Sequence, residues 1–164
     1  LVAEMLRLGG LCEDRGQAQA MMESAIQSGA ALQAFRELVT AQGGDPRVVA
    51  DAARLPAAAH RFDVCYAGAA PGYIAGIDAL LVGEAARLLG AGRAHAEASI
   101  DPSVGFVFNK KVGDAVEPDE WICQVHYNAD ETLEPALDRL RAALSYSTQP
   151  VAIPELVIDR ITGA

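Results

Sequence analysis

Through the first third of the chain, apolar residues recur at helical spacing. Leu1, Met5 and Leu8 share one face of a helix that Gly9–Gly10 stops. A second helix is expected over 16–28, with Ala18, Met21, Met22, Ala25 and Ile26 as its apolar stripe. Methionines at this spacing read as core packing. Gly29 interrupts the pattern, and a third helix over 30–42 is expected to bury Leu32, Phe35, Leu38 and Val39. Gly43–Gly44 ends it, and Asp45 is placed to cap a short helix with Pro46 at its first position.

Residues 54–60 are rich in Pro and Ala and unpatterned, and they read as a linker. Beyond them Val, Ile and aromatic residues alternate with polar ones. Strands are expected over 64–67, 73–78, 93–98, 104–109, 121–127 and 155–161. Pro71 presets a bend at 69–72, with Gly72 supplying a positive φ. A helix over 79–89 turns Leu80, Leu81, Gly83, Ala86 and Leu89 inward, Gly83 allowing a close neighbour, and Gly90-Ala91-Gly92 closes it. Gly113–Asp114 between Val112 and Val116 predicts a hairpin. A last helix over 132–146 aligns Leu133, Leu137, Leu140, Ala143 and Leu144, with Pro135 in its first turn. The sum is an α+β chain.

Composition narrows the function classes. Of 164 residues, 51% are hydrophobic and 21% charged, which is globular composition. The net charge is −9, and Lys110–Lys111 is the one basic doublet. Nucleic-acid binding requires clustered cations, so it is not expected. No apolar run approaches the roughly 18 residues of a membrane span. Cys12, Cys65 and Cys123 are odd in number and far apart, so free buried thiols in a reducing compartment are expected. His60, His95 and His126 form no metal-ligand spacing with them.

The candidate motifs read as structure. Leu89-Gly90-Ala91-Gly92-Arg93 is glycine-rich, but it follows a helix, whereas phosphate loops lead into a helix N-terminus. Lys110 and Lys111 read as solvated strand flanks, and His126 as a strand histidine with a hydrogen bond. Trp121 reads as packing, while Glu84, Glu117, Asp119 and Glu120 read as solvent-facing charge. No carboxylate pair or nucleophile–histidine–acid set stands out. The segment 111–125 resembles the strand–turn–strand of biotinyl and lipoyl carrier domains. The carrier lysine has no counterpart in His126-Tyr127-Asn128-Ala129-Asp130, so that activity is not expected.

A second resemblance covers nearly the whole chain. It is carried by Glu4-Met5-Leu6-Arg7-Leu8-Gly9-Gly10, by Ser28-Gly29-Ala30-Ala31-Leu32 with Phe35, and by Ala41-Gln42-Gly43-Gly44-Asp45. It continues through Pro71-Gly72-Tyr73, Leu89 to Arg93, Ile100-Asp101-Pro102-Ser103-Val104-Gly105 and Lys110-Lys111-Val112-Gly113-Asp114. In order and spacing these resemble the C-terminal half of thymidine and pyrimidine-nucleoside phosphorylases.

The resemblance implies an enzyme that uses phosphate to cleave thymidine, deoxyuridine or uridine into free base and pentose 1-phosphate. It implies that residues 1–53 are helices of a parent α/β domain and 61–164 an α/β-hammerhead (barrel-sandwich-like) domain, joined by the linker 54–60. It also implies a cytoplasmic homodimer in which phosphate is a co-substrate and no cofactor is held by this chain. The family's phosphate loop and base-binding residues match no position here. The expectation is therefore a C-terminal part with no catalytic, substrate-binding or metal residues of its own, whose partner is the N-terminal part of the same enzyme. Leu1, opening uncapped inside a helical pattern, fits such a part. Alone, the chain is expected to be inactive and monomeric or weakly aggregating. The alternative is a stand-alone interaction or carrier-like module.

Overall fold

The computed structural model describes residues 1–93, 97–159 and 161. The chain divides into two compact units, Leu1–Leu55 and Pro56–Ala164. It is α+β, with five α-helices and two small antiparallel sheets among the described residues.

The first unit is helical. Helix α1 (Val2–Leu8) has no side-chain cap at Leu1. Helix α2 (Arg15–Gln27) starts where the Asp14 carboxylate accepts from the Gln17 N–H at 2.9 Å. Gly29, at φ +80°, breaks the chain before α3 (Ala30–Ala41). Asp45 caps a 3-10 turn at Pro46–Val49, as its position before proline predicts, and a second 3-10 turn follows at Ala52–Arg54. The expected burial is not found. Ala18 is the one buried side chain of this unit among the described residues. Leu32, Phe35 and Leu38 are exposed, as are Met21 and Ile26. The helical period is right, but the unit contains nothing large enough to cover the stripes.

The second unit holds β1 (His60–Cys65), β2 (Gly72–Ile77), α4 (Ala79–Leu89), β3 (Gly105–Phe108), β4 (Ala115–Val116), β5 (Trp121–Tyr127), α5 (Asp130–Ala143) and β6 (Leu144–Ser147). One sheet has the order β1-β5-β3 and the other β4-β2-β6. Ile74, Val116, Ile122, Cys123 and Val125 from the strands meet Ala85, Leu89, Ala136, Leu137 and Leu140 from α4 and α5 in one core. Alanines at Ala85, Ala136 and Ala143 suit the close packing of these two helices.

Several expected elements are corrected. The hairpin around Gly113–Asp114 does not form. Gly113 does turn, at φ +94°, but β3 pairs with β5 and β4 with β2. The turn is held to β2 instead: Gly113 N–H donates to the Ile74 carbonyl at 2.9 Å, and Ile74 N–H to the Asp114 carbonyl at 3.0 Å. The last helix stops at Ala143, because Leu144–Ser147 pairs along β2, with Leu144 opposite Ile77 and Tyr146 opposite Ile74. Starting at Asp130, this helix places Pro135 in its second turn and not its first. Strand β1 begins at His60, inside the expected linker, and shifts register between Val64 and Cys65.

Gly72 does not have positive φ. A Cβ there would lie 2.7 Å from the Tyr66 hydroxyl, so its role is close approach. Gly83, by contrast, has nothing within 4 Å of where a Cβ would stand, and Leu80 is exposed. The strand expected over 93–98 falls on 94–96, which lie outside the described residues; Arg93, Glu97 and Ala98 are not in a strand. Residues 155–159 and 161 form no strand either, and Arg160 lies outside the described residues.

Candidate functional site

Lysine is the natural starting point for an anion site, and the chain has two. The Lys110 ammonium donates to the Ala115 carbonyl at 2.9 Å and pairs with the Glu120 carboxylate at 2.5 Å; its side chain is only 17% exposed. Glu120 also accepts from the Glu117 N–H at 2.9 Å. The Lys110 hydrogen bond, then that of Glu117, holds the Glu120 carboxyl below its usual range. Lys110 thus locks the 117–120 turn, where Asp119 sits at φ +62°, and its charge is already compensated. Lys111 is exposed, and its N–H donates to the Asp114 carboxylate at 2.7 Å, which closes the Gly113 turn.

The other motifs are equally structural. Gly90, at φ +107°, ends α4, and the N–H groups of Gly90 and Ala91 return to the carbonyls of Arg87 and Ala86. The free carbonyl of Gly90 accepts from Asp101 N–H at 2.9 Å, so this end offers acceptors and no phosphate cradle. Glu84 does not simply face solvent; it pairs with Arg139 across α4 and α5 at 3.6 Å. Trp121 lies opposite Cys65 at the register shift and is partly exposed.

His126 Nε2 lies 3.0 Å from Gln124 Oε1, and Gln124 Nε2 donates to Asp63 Oδ1 at 2.8 Å. Register places Arg61 and Gly105 opposite His126. This chain of polar contacts runs along the solvent face of the β1-β5-β3 sheet and ends at the imidazole without a hydroxyl or thiol in the chain to activate. Its residues appear at alternating positions in the sequence, but the link from β1 to β5 depends on strand pairing that the sequence does not display. His60 stacks 5.3 Å from Tyr127, and His95 lies outside the described residues.

The three cysteines are free: Cys12 is half-buried, Cys65 exposed and Cys123 buried. The expectation of buried thiols therefore fails for Cys65, which falls on the outward side of a strand edge. Burial pushes the Cys123 thiol up to about 12. Among the described residues, no group of three His, Cys, Asp or Glu side chains stands where it could hold a metal ion. No helix of the described residues is long and apolar enough to cross a membrane.

Two of the concavities among the described residues gather charged or aromatic side chains. In the second unit, a groove of about 390 Å³ is lined by Cys65, Tyr66, Arg141 and Tyr146 among others, with the two tyrosine rings 4.8 Å apart. In the first unit, a cleft of about 430 Å³ gathers Arg36, Arg47 and Arg54. Arg47 is held by both oxygens of Asp45, which drives that carboxyl down to about 2, and Arg54 pairs with Asp51 at 3.4 Å. Two of the three guanidiniums are therefore already neutralised. Neither concavity assembles an acid, a base and a nucleophile.

Residues 73–147, from β2 through β6, match the family model described as the pyrimidine nucleoside phosphorylase C-terminal domain. Over 162 residues the chain is 37% identical to a pyrimidine-nucleoside phosphorylase of Geobacillus stearothermophilus, covering 99% of this chain and 37% of that protein. Enzymes of the same name from Staphylococcus aureus are similar: strain MSSA476 is 34% identical over 161 residues (97% of this chain, 37% of the relative), and strain USA300 34% over 162 (99% and 36%). The chain thus spans little more than a third of the length of these curated relatives. The resemblance carried by the sequence motifs is borne out: residues 73–147 match the model of the pyrimidine nucleoside phosphorylase C-terminal domain, and the chain is similar along nearly its whole length to enzymes of that name.

Proposed function

We propose that this chain is the C-terminal part of an enzyme that cleaves pyrimidine nucleosides with phosphate. In that reaction the glycosidic C–N bond breaks, a bond forms between the pentose C1 and a phosphate oxygen, and the base leaves with a proton. The products are free base and pentose 1-phosphate. The observation that carries this reading is the similarity to pyrimidine-nucleoside phosphorylases across both units, over 97–99% of the chain. The groups that bind phosphate and base are assigned to the portion outside this chain, in keeping with the engagement of Lys110, Glu120 and Asp101 in internal contacts. The chain's own share is structural support, and alone it is inactive. The whole enzyme is a cytoplasmic homodimer that takes phosphate as co-substrate and no further cofactor in this part.

The test is base release from uridine or thymidine, with and without inorganic phosphate, by the isolated chain and by the longer polypeptide that contains it. Phosphate-dependent release by the longer protein alone is expected. Release by the isolated chain overturns its inactivity, and no release by the longer protein overturns the assigned reaction.

A further inference from the structure

In the second unit, the end of β1, the end of α5 and strand β6 meet around the groove of about 390 Å³. Small-molecule sites have volumes of roughly 300–1,000 Å³, apolar walls and a few convergent polar groups. Val64 and Leu144 give this groove apolar wall, and the paired rings of Tyr66 and Tyr146 give it an aromatic one.

Its polar groups are donors left open. Tyr66 is only 9% exposed, yet its hydroxyl makes no hydrogen bond among the described residues. No side-chain oxygen among those residues is both sealed from solvent and unbonded, so this hydroxyl reaches open space. It lies against Gly68, where a Cβ would overlap it, and Gly68 itself lines the groove. The Tyr146 hydroxyl is likewise unbonded among the described residues. Arg141 uses one nitrogen, Nη1, for both Asp138 at 3.3 Å and Glu134 at 3.6 Å, and its Nε and Nη2 have no partner among the described residues.

Charge decides which ligand suits these donors. Asp138 and Glu134 offset the Arg141 charge, so the groove does not draw in an anion. Phenol O–H and guanidinium N–H groups call for acceptor oxygens, and aromatic walls favour a flat ring. We propose that this groove binds a small, neutral, planar heterocycle with ring carbonyls, a lactam or cyclic imide, whose oxygens accept from Tyr66, Tyr146 and Arg141. The site stands on the groove alone; that the released base is one such ligand rests on the function assigned above.

The test reads the exposed Cys65 thiol, which lines the groove and is shielded when the groove is filled. N-ethylmaleimide labelling at neutral pH is followed by peptide mass spectrometry, in the isolated chain and in the longer polypeptide, with Cys12 of the first unit as internal control. Uracil and 1,3-dimethyluracil, which keeps both carbonyls, are expected at about 10 mM to slow Cys65 at least fivefold and to leave Cys12 unchanged within about twofold. Benzoate, flat but anionic, is expected to leave both unchanged. Tyr66→Phe and Arg141→Gln, checked for folding by circular dichroism, are each expected to raise the uracil concentration needed at least threefold. No protection by uracil overturns the site, as does equal slowing of Cys12 or full protection surviving in both variants. Equal protection by benzoate overturns the assigned ligand class. A Cys65 already unreactive in the longer polypeptide without ligand overturns the site too, because another segment then fills the groove. Protection without phosphate-dependent base release keeps the groove and removes the reaction; release without protection does the reverse.

Discussion

The Asn128 side chain joins three segments far apart in the sequence. Its amide nitrogen donates to Asp101 Oδ2 at 2.6 Å and to Ser103 Oγ at 2.9 Å, while its oxygen accepts from Ala59 N–H at 2.7 Å. Asp101 in turn accepts from both the N–H and the hydroxyl of Ser103, and its own N–H reaches the Gly90 carbonyl. The Ile100–Gly105 motif, prominent in the family resemblance, is thus a brace. It ties the end of α4, the approach to β1 and the exit from β5 into one assembly.

Asn128→Ala removes all three of these bonds at an exposed position. A loss of about 1 kcal/mol is expected, read as a fall of a few degrees in the melting temperature of the second unit. The pH dependence has a definite sign. The Ser103 hydrogen bonds, then that from Asn128, hold the Asp101 carboxyl below its ordinary 3.8. A depressed folded-state value means the stabilisation is complete above 3.8 and is lost as pH falls through the folded value. The gap between wild type and Asn128→Ala should therefore narrow in acid melts below that point. A gap that widens in acid contradicts the brace.

Gly72 and Tyr66 make a second coupled pair. A Cβ at Gly72 would stand 2.7 Å from the Tyr66 hydroxyl and 3.1 Å from the Ser147 carbonyl. The tyrosine ring is itself fixed, packed on Tyr146 with its backbone bonded to Asp119 and Glu120. Gly72→Ala is expected to cost about 1–3 kcal/mol. Tyr66→Phe removes the nearer atom, so Gly72→Ala should cost visibly less in that background. A double-mutant cycle by urea denaturation measures the coupling, and purely additive costs would contradict the steric account.

What could be read from the chain beforehand follows the range of each interaction. Helix α4 and strand β5 match their expected bounds because their signals are local: Asp78 caps the helix, Gly90 ends it, and Trp121–Tyr127 alternates. The Gly113 turn was also legible as a turn. Its partner was not, because β4 is chosen by hydrogen bonds to Ile74 some forty residues earlier, and a Gly-Asp turn carries no record of them. Leu144–Ser147 continues the helical apolar period, and only pairing with β2 converts it to strand. The Asn128 brace was invisible for the same reason, since none of its four residues is unusual where it stands. In the first unit the stripes were correctly placed, but their burial depends on a cover that these residues do not supply.

Cys123 and Cys65 should separate sharply in thiol chemistry. Cys123 is fully buried between Phe108 and Val64 in the register of its sheet neighbours, and Cys65 is exposed. Native-state maleimide labelling at pH 8 should modify Cys65 and spare Cys123 until denaturant is added. Burial raises the Cys123 thiol from 9.0 to about 12, so the unfolded chain ionises first. Stability held by the neutral thiol is complete below pH 9 and declines as pH rises towards about 12. Cys123→Val keeps an apolar side chain there and should flatten that alkaline decline; an unchanged decline would assign it to another group.

Pro135 offers a stabilising change. It is the sixth residue of α5, so it cannot donate to the Glu131 carbonyl, and its ring crowds that carbonyl. Both residues are exposed, which lets water satisfy the freed oxygen but leaves proline no packing to recover the loss. A helix-interior proline is about 3 kcal/mol worse than alanine, offset by up to about 1 kcal/mol because proline restricts the unfolded chain. Pro135→Ala should therefore raise stability by about 2–3 kcal/mol, measured as a higher melting temperature followed at 222 nm. Ala136→Pro, one residue on and fully buried against the core, should unfold the second unit. If Pro135→Ala lowers the melting temperature, the helix does not pass through residue 135 with the hydrogen bonding described here.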